Sequence, residues 1–450
     1  MRRFATRLAI AVAGAGVLSG CGSWKRVGSA DQPQASDALT QVFNLKAYYQ
    51  RLGRFAAGDP LPFVGTVAFT AAPGDTDLAI LGLSLENRSL AFQKEGKSFV
   101  ANYRVDVSFE RKGAPAVLGG QDEVVRVHTF QETQRADESV LFQKVFRLAP
   151  GTYHATVTLR DPNSNGQSRA EADFTAPAFR PGSTTQPILA YQATGRGTLA
   201  DPLKVVLNPR GAVGYGGDTL LAYVEGYQFA RPTRVPFEVR TEEDSVVYRD
   251  SLDFRGDRPV ESQVIRMRPD SMALGELKLV VGSGSSARSV SALVSFSSAW
   301  VVTNFDEMLS ILRYFGQDTR LSAIRKAPPG QRPALWHQFW AATDPDPTTS
   351  ENEALNRYFS RIAIANARYK EEAVAGWRTD RGEAFIRLGD PDETYDTSPG
   401  TVNRTLVWTY VTYRTTLYFF DETGFGRFRL SPGSRANLES VAQRLGRRNN

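Results

Sequence analysis

The spacing of apolar residues changes sharply along the chain, and this spacing is what most constrains the fold. From Phe63 to Pro177, and again from Ser183 to Phe296, apolar and polar residues alternate in segments rich in Val, Phe, Tyr and Thr. Turn residues separate these segments at short intervals, with no helical pattern between them. Regularly spaced short strands predict two antiparallel β-sandwiches. We place their boundary in the stretch 177–187, which is rich in Pro, Gly, Ser and Thr.

The predicted strands lie at 99–110, 123–130 and 152–160 in the first sandwich, and at 203–207, 219–229, 246–254, 260–267, 276–281 and 289–296 in the second. The run Leu148-Ala-Pro-Gly-Thr-Tyr153 resembles the turn and tyrosine that open a late strand in immunoglobulin-like domains. Asp161-Pro-Asn-Ser-Asn-Gly166 matches half of an EF-hand loop, but it lacks the closing glutamate and predicts a hairpin turn instead.

From Thr303 the apolar residues recur at steps of three and four, which predicts helices. Thr303 with Asp306, and Ser350 with Glu353, have the spacing of capping boxes. Strands are then predicted at 383–388, 405–411, 415–421 and 427–430, followed by a fraying helix in the basic tail from Arg435. Helices followed by an antiparallel sheet predict an α+β domain. The whole chain is therefore predicted to be multidomain and mainly β: two tandem immunoglobulin-like antiparallel β-sandwiches at 61–180 and 183–300, then an α+β domain at 303–450.

The N-terminus has the layout of an export signal. Residues 1–20 combine three arginines with an apolar run from Leu8 to Leu18, which is too short to span a membrane. The following residue is Cys21, the only cysteine in the chain, so no internal disulfide can form. Leu18-Ser-Gly-Cys21 resembles the lipobox of bacterial lipoproteins, which implies that Cys21 is lipidated. The alternative is a plain secretory signal with a chance cysteine.

The lipobox resemblance implies a membrane anchor through Cys21, with residues 21–60 serving as a tether and short helix. The segment 22–36 is polar and without periodicity, and a helix is predicted from Asp37, with Ala56 on its apolar face and its end near Gly58-Asp59-Pro60. The residue after the cysteine is Gly22 rather than an aspartate retention signal, so sorting rules of Gram-negative-type bacteria favour the outer membrane.

Composition excludes several functions. Without its signal the chain has 51 basic and 48 acidic residues, too even a balance to indicate nucleic-acid binding. The histidines, His128, His154 and His337, fall in separate segments without metal-ligand spacing. Neither a metal nor a cofactor is predicted.

An ordered run of motifs marks the C-terminal segment. It comprises Phe339-Trp340, Asp344-Pro-Asp-Pro347, Asn352-Glu353, Arg361, Ala365-Asn366, Gly376-Trp-Arg-Thr-Asp-Arg-Gly382, Gly389-Asp-Pro-Asp-Glu393, Trp408-Thr-Tyr410 and Asp421-Glu-Thr-Gly-Phe-Gly426. This run, over about residues 303–432, resembles the GWxTD-domain family, exported bacterial proteins of no established activity. The resemblance supplies no catalytic residues.

We considered three interpretations of this signature. The first is a structural corner, in which Gly376 ends a helix, Trp377 packs, Thr379 and Asp380 accept backbone N–H groups, and Gly382 enters a strand. Gly389-Asp-Pro-Asp-Glu393 then forms a turn, and Arg378 and Arg381 stay outside the corner, free to contact a partner. The second is a cleft for a sugar or peptide, lined by Trp377, Arg378, Asp380, Arg381, Asp392 and Glu393. The third is a hydrolase that pairs two carboxylates among Asp380, Asp390, Asp392 and Glu393.

The expected function is a non-catalytic scaffolding, assembly or recognition role, performed by an outer-membrane-anchored lipoprotein at the periplasmic or outer surface. An envelope protein or glycan is the expected partner. The alternatives are a carbohydrate- or peptidoglycan-binding module and a carboxylate-based hydrolase.

Replacing Cys21 tests the anchor. Several acyl chains hold a protein on a membrane almost permanently, because each buried CH₂ contributes about 0.8 kcal/mol. Cys21→Ser should therefore release the protein from the membrane fraction or leave its signal uncleaved, as seen by fractionation and immunoblotting. A cleaved variant that still sediments with membranes would refute the lipid assignment.

Overall fold

The computed structural model describes residues 45–134, 140–216, 219–268, 274–296, 305–348, 352–371, 374–396, 404–421, 424 and 426–446. The predictions for the export signal, Cys21, Thr303 and Ser350 lie outside these residues. Across the described ranges, no helix combines the length and apolarity that a membrane crossing requires.

The N-terminal helix ends earlier than predicted. Helix α1 spans Leu45–Arg51, and the turn that follows it contains Gly53, whose φ of 71° suits glycine. Ala56 lies in the short strand β1 (Phe55–Ala57), which pairs with the next strand, so its placement on the helix was wrong.

The first sandwich consists of two antiparallel sheets. Sheet I has the order β1-β2-β3-β7. In sheet II, β4 and β8 pair with different parts of one edge of β5, β9 pairs with β8, and β6 pairs with the other edge of β5. Their strands are β2 (Phe63–Ala72), β3 (Thr76–Leu85), β4 (Gln93–Glu95), β5 (Ser98–Glu110), β6 (Val117–Val127), β7 (Val140–Leu148), β8 (Gly151–Asp161) and β9 (Gly166–Ala176), with one helical turn, α2 (Phe130–Thr133), before β7.

Two local predictions in this sandwich are confirmed. The Tyr153 hydroxyl donates to the Ala149 carbonyl at 2.8 Å, which is the tyrosine corner of immunoglobulin-like domains. The EF-hand-like segment is the β8–β9 hairpin turn. Asp161 accepts from the Asn163 and Ser164 amides there, and Asn165 has a φ of 54°.

The second sandwich also consists of two sheets, which are antiparallel except for one short parallel edge strand. Sheet III runs β11-β10-β13-β16, and sheet IV runs β12-β18-β17-β14-β15. Their strands are β10 (Ile188–Thr194), β11 (Lys204–Leu207), β12 (Ala212–Gly214), β13 (Leu220–Tyr227), β14 (Thr233–Thr241), β15 (Val246–Phe254), β16 (Val260–Met267), β17 (Gly275–Val281) and β18 (Arg288–Ser295). The predicted mainly β fold with immunoglobulin-like sandwiches is confirmed.

The two sandwiches stack through sheets I and III. Ile80 of β3 packs into a buried apolar cluster with Ile188, Leu207 and Tyr223 of the second sandwich. The connection between the sandwiches is exposed at residues 180–182, and further along it the buried Thr185 amide donates to the Glu225 carbonyl at 2.8 Å. Thr185 therefore ties this connection to β13.

The C-terminal region has helices α3 (Phe305–Ile311), α4 (Asp318–Lys326), α5 (Arg332–Thr343), α6 (Glu353–Arg368), α7 (Asp380–Leu388) and α8 (Pro432–Gly446). Sheet V consists of β19 (Glu393–Asp396), β20 (Arg404–Tyr410), β21 (Thr415–Asp421) and β22 (Arg429–Leu430). Its apolar core is continuous with that of the second sandwich: the rings of Phe296 and Trp336 meet edge to face at 4.7 Å.

Two predictions in this region were wrong. Residues 383–388 form most of helix α7 rather than a strand, because Thr379 caps the helix and the run Ala384-Phe-Ile386 is buried on successive faces. The helix predicted from Arg435 is present, but it begins earlier, at Pro432, and is packed rather than fraying. Helix α8 packs against sheet V through Leu438 and Val441, which are both buried.

A buried carboxyl group in β3 should make stability depend on pH. Burial raises the pKa of Asp77 from 3.8 to about 7, and within the described residues its Oδ2 has no hydrogen-bond partner. The folded state therefore binds this proton more tightly than the unfolded state. The resulting penalty is absent below about pH 4, grows as the pH rises and is complete above about pH 7.

Asp77→Asn should therefore raise the melting temperature more at pH 8 than at pH 5, as measured by thermal melts across that range. The exposed Asp257→Asn is the control and should shift neither melt. An equal shift for Asp77→Asn at both pH values would mean that the side chain does not titrate as proposed.

Candidate functional site

The GWxTD signature forms the junction between helices α6 and α7. Helix α6 ends at Arg368, so the prediction that Gly376 ends it was wrong. Gly376 instead begins a 3₁₀ turn, Gly376–Arg378, and its amide donates to Asn366 Oδ1 at 3.0 Å. A Cβ atom at Gly376 would overlap the Ala365 carbonyl oxygen. Glycine is therefore required by the close approach of the turn to α6.

Gly382 meets the same turn from the other side. It lies in the first turn of α7, not at the start of a strand as predicted, and an added Cβ would overlap the Gly376 carbonyl oxygen. The two glycines of the signature thus allow the backbones of α6, the 3₁₀ turn and α7 to pack directly against one another.

Thr379 caps helix α7. Its Oγ1 accepts from the Gly382 amide at 3.0 Å and donates to the Gly376 carbonyl at 2.7 Å, and the side chain is buried. One hydroxyl therefore joins the turn to the helix, as the corner interpretation predicts for this residue.

Trp377 is the largest fully buried side chain among the described residues, with no exposed surface. The guanidinium groups of Arg313 and Arg378 lie 4.9 and 4.7 Å from its ring centroid. Cation–π contacts of this kind stabilise by about 0.5–2 kcal/mol. Arg378 is itself exposed, as predicted, while burial raises the pKa of Glu307 and the nearby Arg378 charge opposes that rise.

Asp380 and Glu383 bind the last helix. Arg435 of α8 contacts Asp380 Oδ1 at 2.8 Å and Glu383 Oε2 at 3.1 Å. Asp380 Oδ2 accepts from the Leu430 amide at 2.6 Å, and Arg387 also pairs with Glu383. The predicted backbone acceptor role of Asp380 is present, but the amide belongs to β22 rather than to the turn.

Arg381 is not free for a partner, contrary to the prediction. Its side chain is 17% exposed and pairs with Glu371 at 3.2 Å, and its guanidinium lies 4.4 Å from the Phe428 ring centroid. Glu371 also accepts from the Phe428 amide and pairs with Arg429. Glu371 carries no recognisable signal in the sequence, because the partners of its side chain all lie at least ten residues away.

The remaining signature carboxylates lie beyond the far end of α7. Asp390 pairs with Arg368 at 2.8 Å, Asp392 accepts from the Val411 amide at 2.7 Å, and Glu393 lies in strand β19. Helix α7 lies between Asp380 and these carboxylates. Because each of its nine residues rises 1.5 Å, the helix separates the two sites by about 13 Å. The hydrolase interpretation requires two carboxylates within about 10 Å across a cleft, so Asp380 does not pair with this group.

Among the described side chains, no group of histidine, cysteine and carboxylate residues is placed to hold a metal ion. A shallow depression of about 400 Å³ lies on sheet II beside Arg104 and Gly120, far along the chain from the signature. The structure thus brings Trp377, Arg378, Thr379, Asp380, Arg381 and Gly382 together as a packed junction. It places Asp390, Asp392 and Glu393 elsewhere.

These features define a mainly β chain whose C-terminal α+β region is built around a junction that requires glycine. Residues 279–423 match the family model of the GWxTD domain, which confirms the resemblance of the C-terminal segment. The match begins inside β17, earlier than the expected residue 303, and so includes the last strand of the second sandwich.

No curated protein matches the sequence. Among solved structures, the BSP domain of a biofilm-associated protein is 9% identical, over 57% of this chain and 55% of that chain, with a TM-score of 0.17. Trypsin-activated alpha-2-macroglobulin from Escherichia coli is 10% identical, over 54% of this chain and 17% of that chain, also with a TM-score of 0.17. TM-scores this low support no inference about this chain.

Replacing Trp377 distinguishes a corner from a cleft. Truncating a fully buried tryptophan leaves a cavity, so Trp377→Ala should lower the free energy of unfolding by about 3–5 kcal/mol. Arg378→Ala is the matched control, because its exposed side chain contributes only a cation–π contact of about 1 kcal/mol or less. Chemical denaturation of the full chain measures both. A normal unfolding curve for Trp377→Ala, combined with loss of ligand binding, would establish the cleft instead.

Proposed function

We propose that this protein is a lipid-anchored lipoprotein of the bacterial outer membrane with a non-catalytic scaffolding or recognition role in the cell envelope. Cys21 is the proposed anchor, and the polar segment 22–36 is the proposed tether. The described chain then forms the part that contacts envelope partners.

The proposal rests on the contacts of the signature residues. Thr379, Asp380 and Arg381 each form hydrogen bonds or ion pairs with other residues of the chain. Trp377 is buried between two guanidinium groups. Catalytic carboxylates need an accessible cleft and a partner group across it, whereas these side chains join helices α6, α7 and α8 and strand β22. Such a junction supports a binding surface rather than a reaction.

A scaffold also needs domains held in a fixed arrangement. The buried cluster between sheets I and III couples the sandwiches, and the continuous core couples the second sandwich to the C-terminal region. Apolar interfaces of this kind oppose relative motion between domains.

A specific observation favours glycan binding as the second candidate. The outer face of sheet V bears Tyr395, Tyr418 and Phe420, which are 66%, 45% and 39% exposed. Tyr395 and Tyr418 both lie opposite Val407, so they form one row across the sheet. Exposed aromatic faces suit stacking on sugar rings, and this row is a better candidate for that role than the buried Trp377.

The scaffold proposal is tested by neutralising carboxylates in the full-length protein. Asp392→Asn and Glu393→Gln should leave the melting temperature unchanged, because both side chains are exposed. They should also leave unchanged the proteins that co-purify from detergent-solubilised envelope, because neither carboxylate is proposed to take part in a reaction. Mass spectrometry identifies the co-purified proteins. If either variant abolishes the cellular phenotype of the gene while folding and co-purification persist, the protein is an enzyme.

Peptidoglycan sedimentation tests the second candidate. Tyr395→Ala with Tyr418→Ala should abolish co-sedimentation with purified sacculi if the aromatic row binds glycan. Tyr248→Ala, which removes an exposed tyrosine from β15 in the second sandwich, is the control. Failure of the unmodified protein to co-sediment would exclude this candidate and leave the scaffold proposal standing.

A further inference from the structure

Strand β6 has an outer edge that no described strand covers. Its inner edge pairs with β5 from Phe99↔Val127 to Phe109↔Val117, and within the described part of the chain the opposite edge has no strand beside it. Exposed edges of this length readily pair with another strand. The side chains of Leu118 and Val124 on this strand are 73% and 60% exposed, so apolar surface lies beside the open edge.

One hydrogen bond shows which backbone groups face outward. Lys144 of β7, in the opposing sheet, donates to the Gly120 carbonyl at 3.1 Å, so this carbonyl points away from β5. The N–H and C=O groups of a strand alternate between its two edges from one residue to the next. The outward groups of β6 therefore belong to the even-numbered residues, among them Asp122, Val124 and Arg126.

We propose that two copies of this chain associate through β6, antiparallel and about a twofold axis at Val124. A twofold axis at an even-numbered residue places outward groups opposite each other at the axis itself, whereas an axis at an odd-numbered residue places them opposite each other on either side of it. An axis at Glu123 would place two glutamates opposite each other. An axis at Asp122 would place two aspartates opposite each other, and an axis at Arg126 would place two arginines opposite each other. An axis at Gly120 would require the Gly120 carbonyl to accept from the second chain, but this carbonyl already accepts from Lys144.

Only the axis at Val124 places opposite charges across from each other on both sides of the axis. Val124 faces its own copy, and Asp122 of each chain faces Arg126 of the other on either side. Opposite charges and apolar residues directly across from each other stabilise antiparallel strands. Within one chain Asp122 contacts Arg104 and Arg126 contacts Glu95, but these pairs are exposed and contribute little, so they do not prevent the cross-chain pairs. Sheet II would then continue across both molecules.

Cysteine cross-linking tests this register in the full chain with Cys21→Ser, which then has no other cysteine. In Val124→Cys the two Cα atoms would lie about 5.5 Å apart, within the range for a disulfide. In the control Arg126→Cys the two copies of residue 126 would lie about 14 Å apart along the strands, too far to bond. Val124→Cys should therefore form a covalent dimer about tenfold faster under mild oxidation. Equal rates for the two variants would refute the proposed register.

Charge reversal supplies an independent readout by sedimentation velocity. Asp122→Arg alone, or Arg126→Asp alone, should weaken the dimer about tenfold, because each creates two like-charge pairs about the axis. The combined variant should restore the dimer, with circular dichroism showing that all three variants are folded. A protein that is monomeric at every concentration tested, or a double variant no better than the singles, would overturn the proposal.

Discussion

A buried ion pair anchors the arrangement of the two sandwiches. Arg196 and Glu225 have side chains 1% and 0% exposed, with Nε and Oε1 2.7 Å apart. Burying such charges costs several kcal/mol unless every polar atom is satisfied. Here Tyr223 and Tyr227 each donate to the carboxylate at 2.6 Å, and Arg196 also donates to the Ala71 carbonyl of the first sandwich. Burial, followed by the Glu225 charge, raises the pKa of Tyr227, so its hydroxyl stays protonated and can donate. The network thus joins β2 to β13 and fixes how the sheets stack.

The apolar contacts around this network explain why the sandwiches pack through sheets I and III. Residues 79–85 of β3 are buried on both faces, so this strand serves the core of the first sandwich with one face and the shared interface with the other. In such a strand the apolar and polar residues no longer alternate, and the sequence is a nearly continuous apolar run. The sequence therefore predicts that β3 is a strand, but not that its second face is covered by the neighbouring sandwich.

Local patterns predicted more of this structure than long-range pairings did. The tyrosine corner at Tyr153 and the hairpin at Asn165-Gly166 depend on neighbouring residues, and both were predicted. Strand β14 was not predicted, because Pro236 interrupts it; the strand tolerates this proline where its pairing with β17 begins, at Phe237. Helix α7 was mistaken for a strand because it is buried on most faces, which hides the helical period. The pairing of Arg381 with Glu371 could not be predicted, because sequence spacing carries no information about it.

The same distinction bears on the signature itself. Gly376 and Gly382 have no room for a side chain, and Thr379 and Trp377 are buried, so a requirement for these residue types follows from packing alone. A sequence signature of this kind identifies a fold, and it need not mark the surface that a partner contacts. Exposed side chains that the packed core does not require are better candidates for contact with a partner. The aromatic row on sheet V and the free edge of β6 meet that condition, and they lie in different domains, so one chain could contact an envelope ligand and a second copy of itself at the same time.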